Sequence, residues 1–407
     1  MSIFNQAISN AGGLSAGAIE GGAGQLLESL SPRRILIYRP DHLGDLVLFS
    51  GALKHIRRRW PSAHVSLAAY GFGRQLFANC PYVDSFLRCE DLQPPLKALR
   101  AIPGLYWGVK AVRTWLSKRP VSPYARLLPS LECDLAILPT VAPSRHGHAV
   151  MDLIPARVRI GIRGDRSNQK PWTDLASRKT YSAQMDAARF PPDFPESEAI
   201  RLFLKFLGIE ASPDQLWPEF WTDDDDRQNA KRLLGVSAGH RLLGIAPGNA
   251  NPLKRLPAQW YASALGELGA EALQVVLLGG PPDVEVCDDV ARSLHGLGNV
   301  TGVLNLAGQT SIRQMIECLR LCDAVLAQET AALHMATALR KPTVGITGGG
   351  HFGRFYPWGD PDLARVVTRK MDCFGCNWAC KYATMRCIQE ISPSEASEGL
   401  KKCLSGG

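Results

Sequence analysis

The sequence predicts an α/β fold with two doubly wound, parallel-sheet domains, each resembling a Rossmann domain. Short apolar runs of strand length alternate with amphipathic helical patterns along the chain, and this alternation is typical of parallel sheets flanked by helices. The 407 residues are enough for two domains with separate cores. We expect the domains to face each other across a cleft, with ligands at the carboxyl ends of the strands.

The composition is that of a globular protein with an anionic partner. The chain is 45% apolar and 21% charged. Its formal net charge of +8 fits a phosphorylated or otherwise anionic partner without identifying it as nucleic acid, lipid or nucleotide, and we expect no nucleic-acid partner. No run approaches the roughly 18 apolar residues of a membrane span. Residues 1–32 are rich in Gly, Ala and Ser and lack the features of a secretory signal, so they predict a flexible leader and a cytoplasmic location.

Nine strands are predicted, and a linker divides them into two sets. The first set covers 33–38, 64–69, 83–88, 133–139 and 158–162, and the second covers 241–247, 273–279, 323–327 and 342–347. Between the sets lies a proline-containing stretch with an acidic run at 222–226, a composition typical of a linker. The predicted domains therefore span 33–215 and 216–370, and a cysteine-rich tail occupies 371–407.

The loop after the first strand carries polar side chains that a simple turn does not need. Arg39, Asp41 and His42 precede Gly44 and Asp45. A single helix is predicted to follow, because apolar residues recur at steps of three and four, at Leu46, Phe49, Leu53, Ile56 and Trp60. Asp45 is either a helix cap, worth about 1 kcal/mol, or a carboxylate with a chemical role. The loop lacks the G-x-G-x-x-G fingerprint, which argues against an NAD-dependent oxidoreductase.

Two strand-end loops of the second half carry charged residues. Lys254 and Arg255 follow Gly248, in a loop that is either merely solvated or suited to bind phosphate. Asp283 and Glu285 follow the next strand. Either carboxylate could bind ribose hydroxyls or interact with a helix dipole, and Asp283 is the stronger candidate.

A third strand-end loop leads into a helix that is predicted to begin near Thr330. The backbone N–H groups of Ala331, Ala332 and Leu333 would then be free to bind a phosphate. His334 lies one turn further along the helix. It either assists a diphosphate or is a buried histidine with satisfied hydrogen bonds.

These motifs, taken in order, resemble those of family 9 glycosyltransferases, the ADP-heptose:lipopolysaccharide heptosyltransferases and their relatives. The resemblance covers roughly residues 33–349. The motifs that carry it are Leu43-Gly44-Asp45 followed by LVLFSGALKHIRRRWP, Pro247-Gly248 with Lys254-Arg255, the turn Leu306-Ala307-Gly308, and Glu329-Thr330-Ala331 with His334. The resemblance implies a GT-B fold and a sugar-transfer reaction that inverts the anomeric carbon.

The resemblance also assigns roles to single residues. It implies that Asp45 is the general base that deprotonates the acceptor hydroxyl. Lys254 would bind the phosphate of the donor or stabilise the leaving group. On this basis the nucleotide-sugar donor, expected to be ADP-heptose, binds Gly44, Gly248, Lys254, Arg255, Asp283, Gly308, Glu329, Thr330, Ala331, Ala332, Leu333 and His334.

Two positions depart from the family pattern. Glu329 replaces an aspartate that contacts the donor sugar in the family, and Ala331 replaces a glycine. Because glutamate is about one methylene longer, we expect an altered sugar pocket. The acceptor, expected to enter near Arg39, Asp41 and His42, is a glycan, a lipid-linked molecule or a protein. Two alternative functions remain: an inactive nucleotide-sugar-binding scaffold, and a GT-B nucleotide-sugar epimerase or hydrolase.

Two further features have alternative interpretations. A cluster of cysteines near the C-terminus has the spacing C-x2-C-x3-C-x6-C, at Cys373, Cys376, Cys380 and Cys387. These residues either hold a structural zinc or iron ion or remain reduced thiols. The chain resembles autotransporter heptosyltransferases, in which cysteines bind iron. We expect no catalytic metal. Residues 95–130 are basic, with aromatic side chains and no acidic ones, and predict contact with an anionic membrane or the acceptor, or a merely exposed basic helix.

Overall fold

The computed structural model describes residues 23–92, 131–164, 180–188, 190–235, 241–269 and 272–405. The chain separates into two compact units, Met1–Pro218 and Glu219–Gly407. Each unit contains one six-stranded sheet in which all neighbouring strands are parallel. The predicted α/β fold with two parallel-sheet domains is confirmed.

The first unit is a doubly wound sheet with the strand order β3-β2-β1-β4-β5-β6. Its strands are β1 (Arg34–Tyr38), β2 (His64–Ala69), β3 (Ser85–Arg88), β4 (Cys133–Leu138), β5 (Ala156–Arg163) and β6 (Ala183–Asp186). Its described helices are α1 (Gly24–Glu28), α2 (Leu43–Ser50), α3 (Leu53–Arg59), α4 (Gly73–Leu76), α5 (Cys89–Leu92), α6 (Arg145–Leu153) and α7 (Glu196–Phe206).

The second unit repeats the same topology, with the strand order β12-β11-β10-β7-β8-β9. Its strands are β7 (Arg241–Ala246), β8 (Leu273–Leu277), β9 (Val300–Asn305), β10 (Ala324–Gln328), β11 (Thr343–Ile346) and β12 (Ala364–Val367). Its described helices are α8 (Asp224–Leu234), α9 (Ala258–Gly266), α10 (Val284–Leu294), α11 (Ile312–Leu321), α12 (Ala331–Ala338), α13 (Arg386–Gln389) and α14 (Pro393–Ser405), with short 3-10 turns at Pro252–Lys254, Pro281–Asp283 and Gly349–His351.

The strand order reverses direction at one point in each sheet. In the first unit the reversal lies between β1 and β4, and in the second it lies between β7 and β10. The loops that leave these two pairs of strands diverge to opposite faces of the sheet, and they form the crevice in which doubly wound proteins bind ligands. Of the candidate residues, Arg39 and Asp41 follow β1, Lys254 follows β7 and Glu329 follows β10.

The central strands are apolar because helices cover both of their faces. In β1 every residue after Arg34 is buried, and all five residues of β10 are buried. The edge strands β6, β9 and β12 were not predicted. Their residues are mostly half-buried and their sequences are partly polar, because an edge strand has only one neighbour to cover it.

The helix predicted after β1 is in fact two helices, α2 and α3, separated at Gly51 and Ala52. Gly51 lies against the backbone of residues 216–217, and an added Cβ would come within 2.3 Å of the Leu216 carbonyl oxygen. Only glycine permits this approach. The interruption was invisible to the periodicity, which continues through both helices.

The cysteine-rich residues 371–407 lie within the second compact unit. Leu400, Cys403 and Leu404 of α14 belong to its hydrophobic core, together with Val344 of β11. Among the described residues no helix is long and apolar enough to cross a membrane. The basic stretch 95–130 and most of the leader 1–32 fall outside the described ranges, so the membrane and acceptor contacts expected of the basic stretch stay predictions.

Candidate active site

In the first unit, a buried arginine organises the loop after β1. The Arg39 side chain is 0% exposed, its Nε lies 2.8 Å from Asp41 Oδ2, and its Nη2 donates a hydrogen bond of 3.2 Å to Glu196 Oε1. It also donates to the Pro139 carbonyl and lies over the Phe49 ring. Although burial alone lowers it, the pKa of Arg39 is raised by Asp41, Glu196 and Asp45. Arg39 is therefore a fixed buried cation, and Asp45 lies within its electrostatic reach.

Asp41 links the loops that leave β1 and β4. Its Oδ2 accepts a hydrogen bond of 2.8 Å from Thr140 Oγ1, and its side chain is 16% exposed. Burial raises the pKa of Asp41, although Arg39 and Thr140 favour its charged form. This carboxylate is therefore held by protein groups on two sides.

The next residues begin helix α2. His42 is the N-cap residue, with extended backbone and an exposed side chain, and its carbonyl accepts from the Leu46 N–H. Asp45 lies in the first turn, so it is not the helix cap that one interpretation of the sequence proposed. Its half-buried carboxylate lies near the positive end of the helix dipole, which favours the charged form. A partly accessible carboxylate in this position is suited to accept a proton.

In the second unit, Lys254 lies at the end of the turn Pro252–Lys254 that follows β7. Its Nζ lies 3.1 Å from the centroid of the Trp378 ring. Burial lowers the pKa of Lys254, and the nearby Glu329 carboxylate opposes this effect. The ammonium group is thus partly desolvated, which strengthens its interaction with any anion that reaches it.

Glu329 follows β10 directly and lies beside Lys254. Burial raises its pKa from 4.5 to about 7, while Lys254 and the Gly348 N–H favour the charged form. Its Oε2 is buried and has no hydrogen-bond partner among the described residues. A buried carboxylate oxygen without a partner is costly, so this atom is a candidate contact for a ligand hydroxyl.

Gln328, which the sequence analysis did not single out, holds the Lys254 loop to β10. Its side chain is 2% exposed. In the amide orientation that satisfies both of its polar atoms, the nitrogen donates to the Lys254 carbonyl at 2.7 Å, and the oxygen accepts from the Leu256 N–H and the Tyr261 hydroxyl. The only signal in the sequence was a polar residue at the end of an otherwise apolar strand.

Asp283, in the turn that follows β8, lies against the loop that follows β7. Its Oδ2 accepts from the Gly280 N–H at 3.0 Å, and its Oδ1 lies 3.8 Å from Arg255 Nη2. It lies so close to Gly248 that an added Cβ there would be 2.2 Å from Asp283 Oδ1. Gly308, with a positive φ of 71°, lies against the same turn and donates to the Gly279 carbonyl. The predicted donor-site residues Gly248, Arg255, Asp283 and Gly308 are therefore neighbours, and Glu285 lies in the first turn of α10.

Helix α12 begins where the sequence predicted. Thr330 is its N-cap residue, with extended backbone, and Ala331 is its first helical residue. The first N–H groups of any helix lack intrahelical acceptors, so those of Ala331, Ala332 and Leu333 can bind an anion. This helix end follows β10 and is therefore adjacent in sequence to Glu329.

His334 is buried inside an aromatic cluster. It is 5% exposed, its ring stacks on Tyr356 at 4.6 Å, and its Nδ1 accepts a hydrogen bond of 3.1 Å from Trp358 Nε1. Burial lowers the pKa of His334 to about 3. The imidazole is therefore neutral at pH 7, and any hydrogen bond it donates comes from Nε2.

The four cysteines proposed as metal ligands do not form a ligand group. Cys373, Cys376 and Cys380 are half-buried and Cys387 is buried. The Cys387 sulfur faces the Gly349 N–H, and the Cys380 thiol faces the Thr384 carbonyl. Within the described ranges, no three His, Cys, Asp or Glu residues are placed to hold a metal ion. The structural zinc or iron expected of these cysteines therefore stays a prediction.

Two doubly wound sheets, each with polar groups at its strand-order reversal, are the architecture of the GT-B fold. Residues 148–379 match the sequence model of "Glycosyltransferase family 9 (heptosyltransferase)", more than half of the chain. The protein belongs to glycosyltransferase family 9.

Relatives and solved structures agree with this assignment. Lipopolysaccharide heptosyltransferase 2 from Salmonella typhimurium is 23% identical over 321 residues, covering 77% of this chain and 82% of the relative, and the Escherichia coli protein of the same name gives the same values. A family 9 glycosyltransferase from Veillonella parvula superposes with a TM-score of 0.65 at 17% identity, covering 92% of this chain and 98% of the other. The E. coli ADP-heptose LPS heptosyltransferase II superposes with a TM-score of 0.62 at 20% identity, covering 92% and 99%.

Proposed function

We propose that this protein transfers heptose from ADP-heptose to a hydroxyl group of a lipopolysaccharide-type acceptor, with inversion at the anomeric carbon. The observation that carries the proposal is the convergence of Lys254, Glu329 and the N-terminus of α12 at the strand-order reversal of the second sheet. The relatives named as lipopolysaccharide heptosyltransferases support this donor and this class of acceptor.

The donor diphosphate binds where the positive groups lie. Lys254 supplies a partly desolvated ammonium group, and the first N–H groups of α12 supply hydrogen bonds aligned with the helix dipole. Asp283, Gly248 and Gly308 form the adjoining wall, where glycines bring the backbone close to a ligand. This arrangement favours a nucleoside diphosphate over a monophosphate, because two phosphates can engage Lys254 and α12 together.

The reaction moves one proton and one sugar. Asp45 accepts the proton of the acceptor hydroxyl as its oxygen attacks the anomeric carbon of the donor. The bond from that carbon to the diphosphate oxygen breaks, and the electron pair leaves with ADP. Lys254 stabilises the negative charge that develops on the departing diphosphate. Because attack and departure occur on opposite faces of the carbon, the configuration inverts.

Other residues of the site position these groups. Arg39 holds Asp41 and lies within electrostatic reach of Asp45, so it keeps the acceptor loop in one arrangement. Glu329 Oε2 has no hydrogen-bond partner among the described residues and is placed to bind a hydroxyl of the donor sugar. The neutral His334 supports the first turn of α12 from within the aromatic cluster.

The test is a transfer assay with ADP-heptose and a heptose-deficient lipopolysaccharide core, combined with calorimetry of ADP, UDP and GDP. We expect ADP-selective binding and acceptor-dependent release of ADP. Asp45→Asn should lower transfer at least 100-fold while ADP still binds, and Lys254→Met should weaken ADP binding. Asp372→Asn, an exposed change, is the control.

Other outcomes would replace the proposal. Binding of ADP without transfer to any acceptor would indicate a nucleotide-sugar-binding scaffold. Release of ADP or change of the sugar without an acceptor would indicate a hydrolase or an epimerase. Selectivity for UDP or GDP would contradict the ADP-sugar donor while leaving the fold class intact.

A further inference from the structure

We infer that Trp378, in the cysteine-rich segment, is a positioning residue for Lys254 and thereby for the donor diphosphate. The inference rests on the proposed function, because it takes Lys254 to be a phosphate ligand. Its direct basis is the contact between the two side chains: the Lys254 ammonium nitrogen lies 3.1 Å from the centroid of the Trp378 ring. A cation over an aromatic face is attracted by the ring quadrupole, most strongly over tryptophan.

The chain holds the Trp378 ring in this place at some conformational cost. Both Asn377 and Trp378 adopt the left-handed backbone region, with φ of 49° and 61°. A bulky residue rarely adopts this conformation, and it persists only where the surrounding structure imposes it. The Asn377 N–H donates to the Gly350 carbonyl at 3.0 Å, which fixes the strained pair against the loop after β11.

The Trp378 ring packs against glycines of the loop that follows β11. A Cβ added to Gly350 would lie 2.3 Å from Trp378 Cδ2, and one added to Gly348 would lie 2.8 Å from Trp378 Cη2. His351 completes the support, since its Nδ1 accepts a hydrogen bond of 3.1 Å from Trp378 Nε1. The close packing on the glycines and this hydrogen bond fix the ring against the Lys254 side chain and offset the backbone strain.

This arrangement pre-orients the lysine. A lysine side chain has four rotatable bonds, and ordering it on ligand binding lowers affinity. With one side of the ammonium group on the ring and Glu329 nearby, the remaining N–H donors point in a restricted set of directions. The cysteine-rich segment therefore contributes to donor binding through an aromatic ring.

The experiment compares ADP and adenosine binding to the full-length protein by calorimetry. Trp378→Leu should weaken ADP binding about tenfold and leave adenosine binding unchanged, because adenosine has no phosphate for Lys254. Trp378→Phe retains an aromatic face, so its ADP affinity should fall only about twofold. This variant also serves as a control for a folding defect in Trp378→Leu. In a Lys254→Met background, Trp378→Leu should have no further effect on ADP binding.

The matched control is Lys381→Ala. Lys381 lies in the same segment and forms an exposed ion pair with Asp372, so its loss should leave ADP binding unchanged. Equal weakening of ADP and adenosine by Trp378→Leu, or no weakening at all, would overturn the inference while leaving the proposed function in place. Failure of the wild-type protein to bind ADP would instead overturn the proposed function, and this inference with it.

Discussion

Arg39 and Glu196 form a buried ion pair that joins positions 157 residues apart in the sequence. Arg39 follows β1, and Glu196 is the first residue of α7. Their side chains are 0% and 3% exposed. The pair ties a loop at the strand-order reversal of the first sheet to a helix that contributes none of the predicted site residues.

Arg39→Met should lower the free energy of unfolding by about 3–5 kcal/mol, because it leaves Asp41 and Glu196 buried without their cation. Urea unfolding at pH 7 measures this change. Arg58→Met, at an exposed position of α3, should change the free energy by less than about 0.5 kcal/mol. A similar small effect at Arg39 would contradict the role given to this pair.

Gly248→Ala should weaken ADP binding and lower the free energy of unfolding by about 1–3 kcal/mol, because the new Cβ would overlap Asp283 Oδ1. Thermal unfolding and calorimetry measure the two effects. Combining the change with Asp283→Ser should recover part of the lost stability, since the shorter side chain leaves room for the methyl group. Gly266→Ala, on α9 with nothing within 4 Å of the added Cβ, is the control and should be neutral or stabilising.

Gln328→Met should raise the donor KM and lower the free energy of unfolding by about 2–4 kcal/mol. Methionine fills a similar volume but leaves the Lys254 carbonyl and the Leu256 N–H without the hydrogen bonds that Gln328 provides. Steady-state kinetics and urea unfolding test the two consequences. Gln259→Met, exposed on α9, serves as the control. If Gln328→Met lowered stability without changing the donor KM, Gln328 would not position Lys254.

Glu329→Gln should change how stability depends on pH. The pKa of Glu329 is raised from 4.5 to about 7 in the folded protein, so the folded state keeps this proton at pH values where the unfolded state has lost it. Stability is therefore lost as pH rises from about 4.5 to about 7, by roughly 3 kcal/mol. Glutamine resembles the protonated side chain, so the variant should gain about this much relative to wild type between pH 4 and pH 8.

Urea unfolding at several pH values tests this prediction. Glu398→Gln changes an exposed glutamate of α14 and should show the wild-type pH dependence. A pH-independent difference between Glu329→Gln and wild type would mean that the Glu329 carboxylate is not perturbed in the folded state.

The sequence by itself determined the fold class and the places where candidate residues occur. Strong apolar runs such as β1 and β10 identify central strands, because a strand covered on both faces must be apolar throughout. Once the strands are known, parallel topology brings their carboxyl ends to one edge, and this rule indicated the loops that carry Asp41, Lys254 and Glu329. The resemblance to family 9 then singled out Glu329 within its loop. The edge strands β6, β9 and β12 escaped prediction because burial on one side leaves a weak pattern, although the edge strand β3 was predicted.

The tertiary structure decided which of these residues interact and in what state. Gln328 and Trp378 both contact Lys254, which lies 74 and 124 positions away from them in the sequence. Glu196 contacts Arg39, which is 157 positions away. No local sequence pattern encodes such pairs. The neutral form of His334 and the raised pKa of Glu329 both follow from burial. Burial depends on how distant elements pack, so the charge of a buried group is a property of the fold and cannot be read from its neighbours in sequence.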